Sequence, residues 1–319
     1  MARLRILLSM VTLAAGLTAA IAAPPAAATL RAPAPPVPAG LPTAIEPLGG
    51  YVEQVACQPA ARRGTLRLAR LLARPYRDYG GATFSTGYAC GTDGTRSEHY
   101  DGRAIDWMVD VHNTRQHAAA EAVIRWLLGT DAAGNRFAMA RRLGVMYVIY
   151  DNRMWGAWDG RWEEYNNCSH LPAPAYDNSC HRTHMHISLT WDGAMGRTSF
   201  WTGRVPLPDY GTCRVADLNW AFRYTGRNPL PCPDLPLVLP APHASAMKKA
   251  LLSFSGAALH RGSGGPGVTA VQRGLGVPAT ALFDAATAQA VGAFQSRHRL
   301  TRTGRLNPST WRALLAATK

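Results

Sequence analysis

The chain has 319 residues, 47% hydrophobic and 17% charged, which excludes an intrinsically disordered protein and leaves room for one medium domain and one small one. Its formal net charge is +14, from 34 basic and 20 acidic residues. No nucleic-acid-binding motif accompanies that charge, so the expected partner is some other anionic surface and not a nucleic acid.

Arg3 and Arg5 precede an apolar run from Ile6 to Ala22, followed by small-residue cleavage sites at Ala20-Ile21-Ala22 or Ala26-Ala27-Ala28. Residues 1–28 therefore read as a secretory signal peptide; the alternative is an uncleaved membrane anchor. No other run is long and apolar enough to span a bilayer, so no stable membrane insertion is expected after cleavage. Residues 29–48 are rich in Ala and Pro and read as an extended tether. Export fits the six scattered cysteines, none of them in a Cys-x-x-Cys pair. Short loops close most easily, which favours Cys57–Cys90, Cys168–Cys180 and Cys213–Cys232 as disulfides.

Residues 49–232 form the predicted middle domain. Leu66–Ala73 has helical character and stops before Pro75. Arg103–Asp110 reads as a strand with Ala104, Asp106 and Met108 on one face. Thr114 is placed to cap a helix running to Leu128, whose Ala120, Val123, Ile124 and Leu127 share one side. Asn135 is expected to cap a further helix ending at Gly144. Val145–Tyr150 is a continuous apolar run, expected to be a buried strand, and His184–Thr190 is a last strand with His184 and His186 on one face. These elements define an α+β domain with an antiparallel sheet.

A Pro-rich stretch, 233–250, separates this domain from residues 251–319, which are expected to fold alone as three short helices. The first carries Val268, Val271 and Leu275. The second opens at Asp284 and presents Ala290, Val291 and Phe294. The third opens at Asn307-Pro308 and carries Trp311, Leu314 and Leu315. No second copy of the unit is evident. It holds eight basic residues against Asp284 alone, about half the excess charge of the chain.

Two separated motifs carry the chemistry. In Ser97-Glu98-His99-Tyr100-Asp101-Gly102-Arg103-Ala104-Ile105-Asp106, an imidazole and a carboxylate flank a glycine that lets the backbone turn. His184-Met185-His186 follows later. His99, Asp106 and His186 together make a three-ligand zinc site with one open position, which suits metal-assisted hydrolysis. His184, on the same strand face as His186, is placed to orient or deprotonate a water, or to stabilise an oxyanion. The segment between the motifs holds Arg153, Trp155, Trp158, Trp162, Glu163 and Glu164. It is a candidate cleft wall, with Arg153 a candidate for gripping a peptide carboxylate. The alternative is that the tryptophans cover core and the arginine lies in solvent. A glycosidase using Glu163 and Glu164 is disfavoured, because adjacent strand residues point to opposite faces.

On these residues the middle domain resembles the zinc peptidases related to D-Ala-D-Ala carboxypeptidases, lysostaphin and the hedgehog signalling domain. The carboxypeptidase and L-alanyl-D-glutamate endopeptidase branch is the best match. Ser97, His99, Gly102, Ala104 and Asp106 fit its first motif, and the likeness spans 83–190. The resemblance implies zinc bound by His99, Asp106 and His186. Many members of that branch carry an acidic base where this chain has Thr183, which leaves His184, Glu163 and Glu164 as candidates for the base. Residues 259–315 resemble the peptidoglycan-binding domain of cell-wall hydrolases, through Leu259-His260-Arg261-Gly262-Ser263, Val271-Gln272, Ala290-Val291-Gly292-Ala293-Phe294-Gln295, Leu300, Gly304, Thr310-Trp311 and Leu314-Leu315. The combination implies a secreted, monomeric, cell-wall-associated zinc metallopeptidase cutting stem or cross-bridge peptides. The competing reading is a non-catalytic wall-binding protein with a degenerate metal site.

Overall fold

The computed structural model describes residues 30–88 and 96–319. The expected signal peptide and Cys90 lie outside these residues.

The middle part runs α1 (Arg63–Ala73), β1 (Phe84–Thr86), β2 (Ala104–Trp107), α2 (Thr114–Leu128), α3 (Ala138–Leu143), β3 (Val145–Tyr150), β4 (Arg153–Gly156), β5 (Arg161–Glu164), β6 (Met185–Leu189), α4 (Trp191–Ala194) and α5 (Ser199–Thr202). The strands form one antiparallel sheet in the order β1-β2-β6-β3-β4-β5. The class is α+β, as expected. Two local expectations shift. Asn113, not Thr114, caps α2, its side chain accepting from Arg115 N and Gln116 N. Asn135 caps no helix; it hydrogen-bonds Asp131, and α3 starts after Phe137 in a left-handed conformation.

The two faces of the sheet differ completely. Ile105, Ile187, Val148 and Trp155 lie side by side across four strands. With Trp107, Met185 and Tyr150 they pack on Leu68 and Leu72 of α1 and Val123 and Leu127 of α2, forming the main core. The opposite face carries the neighbouring row: Ser85, Asp106, His186, Ile149, Met154 and Glu163 stand directly opposite one another from β1 to β5. Because side chains alternate along each strand, the register that buries the apolar row also places the polar one outward.

Residues 31–46 are held against this domain and do not hang free. Tyr76 Oη donates to Pro33 O, Arg142 Nη2 to Pro42 O at 2.9 Å, and Arg141 Nε to Glu46 O at 2.6 Å. The Glu46 carboxylate accepts from Ser199 N and Ser199 Oγ. Proline keeps the segment extended, and its free carbonyls become acceptors for Arg141 and the buried Arg142.

The C-terminal helices are α6 (Ala246–Ser253), α7 (Pro266–Gly274), α8 (Ala285–Arg297) and α9 (Pro308–Ala317). Asp284 and Asn307 cap α8 and α9 as expected. Helix α6, capped by Ser245, falls largely within the stretch read as linker. The core of this unit also takes in Leu218 and Trp220, which join Leu251, Phe254, Val271, Phe283, Phe294 and Trp311. Trp220 N donates to Ser255 O at 2.8 Å and Trp220 Nε1 to Ser253 O at 2.5 Å. The helical core thus reaches past the boundary expected at 251, and residues 31–319 form one compact unit.

Cys168–Cys180 and Cys213–Cys232 are disulfides, as expected. No described cysteine is a free thiol. Among the described residues, no helix is long and apolar enough to cross a membrane.

Candidate metal centre

The first motif folds as a 3₁₀ turn, Glu98–Asp101, opened by Ser97 and closed by Gly102. Gly102 sits at φ 78°, and a Cβ there would lie 2.2 Å from Ala60 O, so both the turn and the close approach require glycine. The turn aims His99 at β2 and β6, where Asp106 and His186 are directly opposed. His99 Nε2 lies 3.1 Å from Asp106 Oδ1 and 3.1 Å from His186 Nδ1, and His186 Nδ1 lies 3.0 Å from Asp106 Oδ1. All three side chains are buried.

This donor set fits zinc. Ligands about 2.0–2.1 Å from zinc at tetrahedral angles stand roughly 3.3 Å apart, so these atoms need to open by only a few tenths of an ångström. Two imidazole nitrogens in contact with each other and with one carboxylate oxygen also crowd lone pairs that a divalent cation satisfies together. Tyr88 Oη donates to the other oxygen, Asp106 Oδ2, at 2.6 Å, leaving Oδ1 toward the histidines. The Tyr88 ring lies 4.5 Å from that of His99.

The electrostatics favour the protonation state that a metal needs. Burial opposes ionisation of Asp106, but its close contacts with His186 and His99 outweigh it and hold the carboxyl well below the usual range. Burial lowers His99 and His184 from their ordinary value. It drives His181 down to about 3, helped by repulsion from His186 and His184.

His184 faces the centre with its Nε2 3.7 Å from Asp106 Oδ1, while its Nδ1 lies 3.0 Å from Thr183 Oγ1. His181, read from sequence as an ordinary loop residue, is also here. Its ring is 4.7 Å from that of His184 and 5.8 Å from that of His186, on a residue at φ 54°. Three histidines within six positions, His181 to His186, leading into β6, were the available signal.

The other expected site residues are placed elsewhere. Glu163 shares the row and face of His186, but three strand spacings away, roughly 14 Å. Glu164 and Arg153 oppose each other on the helix-covered side. There Arg153 Nη2 reaches Glu121 of α2 at 3.2 Å and its guanidinium lies 4.7 Å from the Trp162 ring centre. The expectation that Arg153 lines the metal cleft is therefore corrected by strand alternation. Glu164 accepts from Ser169 N at 3.0 Å. His112 pairs with Asp177, and His170 is exposed.

Beside the centre, on the same face, lies a cleft of about 480 Å³ lined by Tyr51, Tyr147, Ile149, Met154, Trp158 and Tyr165. Tyr147 stacks on His186 with ring centres 5.3 Å apart and planes 14° apart, so the cleft opens from the metal-facing histidine. Of the expected walls, Trp158 is present; Trp155 is in the main core.

Two families match parts of the chain. Residues 60–176 match the family described as VldE, C-terminal domain, a stretch that contains His99 and Asp106 and ends before β6. Residues 265–314 match a peptidoglycan binding domain, which supports association with the cell wall. No curated protein and no solved structure matches the chain.

Proposed function

We propose that the chain is an exported, zinc-dependent peptidoglycan peptidase that hydrolyses an amide bond in stem or cross-bridge peptides. The observation that carries this reading is the buried His99–Asp106–His186 donor set at the head of an aromatic-lined cleft, in a chain with a peptidoglycan-binding match. A zinc held by His99, Asp106 and His186 would supply Lewis acidity for activating a water near neutral pH and polarising the scissile carbonyl.

The protein's own groups do the rest. Asp106 and the two histidines hold the cation. The cleft orients the peptide against the sheet. His184 takes the role of general base: when Thr183 Oγ accepts from Nδ1–H, the Nε2 lone pair is free to receive a proton. Thr183, standing where the related peptidases carry an acid, thus sets the tautomer of its neighbour. The helical domain keeps the site at the wall and raises its local substrate concentration.

Mass spectrometry of purified peptidoglycan fragments after incubation with zinc-loaded protein tests the reading. New amine and carboxyl termini in the peptides are expected. His184→Ala should keep zinc and lose about 10²–10⁴ in turnover. Glu163→Gln and Glu164→Gln should stay near wild type, because neither carboxylate reaches the centre. Thr183 also favours a second reading, a wall-binding protein that holds metal without turnover. Zinc binding with no cleavage of any fragment would select it.

A further inference from the structure

Behind the donor set lies a buried chain of hydrogen bonds that the proposed reaction does not use. His186 presents Nδ1 to Asp106 and His99; its Nε2 lies 2.8 Å from Ser188 Oγ. Ser188 Oγ lies 3.0 Å from Glu98 Oε2, and Tyr147 Oη donates to that same oxygen. Glu98 is only 1% exposed. Its other oxygen has no hydrogen-bond partner among the described residues, and the nearest cation, Arg103 Nη2, is 4.0 Å away and bound at 2.9 Å to Asp101.

We propose that Glu98 is a positioning residue for the metal centre, fixing through Ser188 which nitrogen of His186 faces the ligand set. This rests on the reading of His99, Asp106 and His186 as metal ligands. The hydroxyl protons set the direction of the chain. Glu98 Oε2 accepts from both hydroxyls, and Ser188 and Tyr147 each have one hydroxyl proton. Tyr147 spends its proton on Glu98. Ser188 must likewise give its proton to Glu98, so its oxygen is left to accept from His186 Nε2–H. Nδ1 is then bare, pointing at Asp106 and His99 as a ligand lone pair. Glu98 acts at a second point through Tyr147, whose anchored ring stacks on the His186 imidazole.

The placement also joins the two motifs. Glu98 directly precedes His99 on one turn, yet its carboxylate binds side chains of β6 and β3. One residue therefore ties the ligand-bearing turn to the ligand-bearing strand. Partners of this kind, one bond beyond a metal-bound histidine, typically alter metal affinity by about 10–100-fold.

The test uses the full chain and three variants: Glu98→Gln, Ser188→Ala and Tyr147→Phe. Zinc affinity is measured by competition with a chelator, ligand geometry by the visible spectrum of the cobalt-loaded protein, and the His186 tautomer by ¹⁵N NMR of the metal-free protein. Glu98→Gln can donate to Ser188 and reverse the chain. It should weaken zinc by about 10–100-fold, change the cobalt spectrum and move the His186 proton toward Nδ1. Ser188→Ala should weaken zinc in the same range, and it serves if Glu98→Gln does not fold. Tyr147→Phe leaves the relay whole and should change zinc affinity less than either. Wild-type affinity and an unchanged Nε2–H tautomer in Glu98→Gln and Ser188→Ala would overturn the proposal. If the wild-type protein takes up no zinc, the metal-ligand reading falls and this proposal with it; zinc uptake by the wild type with unchanged affinity and tautomer in both variants overturns this proposal alone.

Discussion

Two buried polar assemblies in this chain obey opposite rules. In the helical domain, Gln272 Nε2 donates to Thr280 Oγ1, Leu282 O and Thr287 Oγ1 at 2.9–3.0 Å, and its Oε1 accepts from Ala281 N. Gln295 repeats the arrangement with Thr303 Oγ1, Arg305 O and Thr310 Oγ1, at the same sequence separations of 8, 10 and 15 residues, and its Oε1 accepts from Thr303 N and Gly304 N. Both glutamines are fully buried and satisfied, each pinning the loop that leads to the next helix cap. The candidate metal site instead presses three acceptor-capable atoms together and leaves His99 Nδ1 and Glu98 Oε1 without partners among the described residues. The saturated glutamines hold their own loops in place, whereas His99 and Glu98 keep hydrogen-bonding capacity beside the candidate site.

The sharpest way to break that contrast is to remove a ligand. His99→Ala, Asp106→Ala and His186→Ala should each lower zinc affinity by more than the roughly 100-fold expected for an indirect partner. The metal-free melting temperature should change little, because the main core lies on the other face of the sheet. Metal content and thermal melts of the same samples check both halves. Full zinc occupancy in any of the three would remove that residue from the ligand set.

The next effect is on pH dependence. His181 titrates at about 3 in the folded protein against 6.5 ordinarily. His99 and His184 are lowered too, and Asp106 is held below its usual carboxylate value. Below pH 6.5 the unfolded chain therefore binds histidine protons that the folded one refuses, so stability falls as pH drops from there toward 3. The loss should be on the order of a few kcal/mol. Urea titrations of metal-free protein across that range measure it. His181→Asn, which tolerates the left-handed backbone, should flatten the slope; an unchanged slope would mean His181 is not the group responsible.

The assignments made from sequence fared differently in the two assemblies, for a physical reason. The caps at Asp284 and Asn307 are local, and a local rule finds them. The grouping of His99, Asp106 and His186 was legible through the resemblance of the two motifs to one family, although it takes the β2–β6 pairing to set Asp106 opposite His186. Ser188 was within reach of strand alternation, two places beyond His186. Tyr147 and Glu98 were not: Tyr147 sits in a plain apolar run, and only the pairing of β3 with β6 brings it to the ligands. Glu163 and Glu164 lie on β5, which the strand order puts at the far edge of the sheet, and Arg153, on β4, faces the helix-covered side by alternation. The repeated glutamine clasp had a signal, a Gln and a Thr recurring at fixed spacing, hidden because the flanking residues differ. Helix α6 was masked by the prolines before it.

A smaller effect tests the satisfied assembly. Gln295→Ala removes the acceptor of Thr303 N and Gly304 N and one of the donors to the Arg305 carbonyl, at partly buried positions. It should cost about 1–3 kcal/mol of stability while leaving zinc affinity unchanged. Denaturant unfolding with a zinc titration on the same variant separates the two; weakened zinc binding there would show that the assemblies are coupled.

The smallest expected effect supplies the control for burial itself. Arg312 and Asp217 form a two-point ion pair, Nε to Oδ2 at 2.6 Å and Nη2 to Oδ1 at 3.0 Å, joining α9 to the segment that contributes Leu218 and Trp220 to the helical core. Its geometry is as good as any in the chain, but both side chains are about half exposed, at 48% and 54%. Water already solvates each charge, so little is gained when they meet and little is lost when they part. A double-mutant cycle with Arg312→Ala and Asp217→Ala should give a coupling below about 1 kcal/mol that shrinks with added salt. A coupling as large as the cost of Gln295→Ala would mean that hydrogen-bond geometry, not desolvation, sets the worth of polar contacts in this protein.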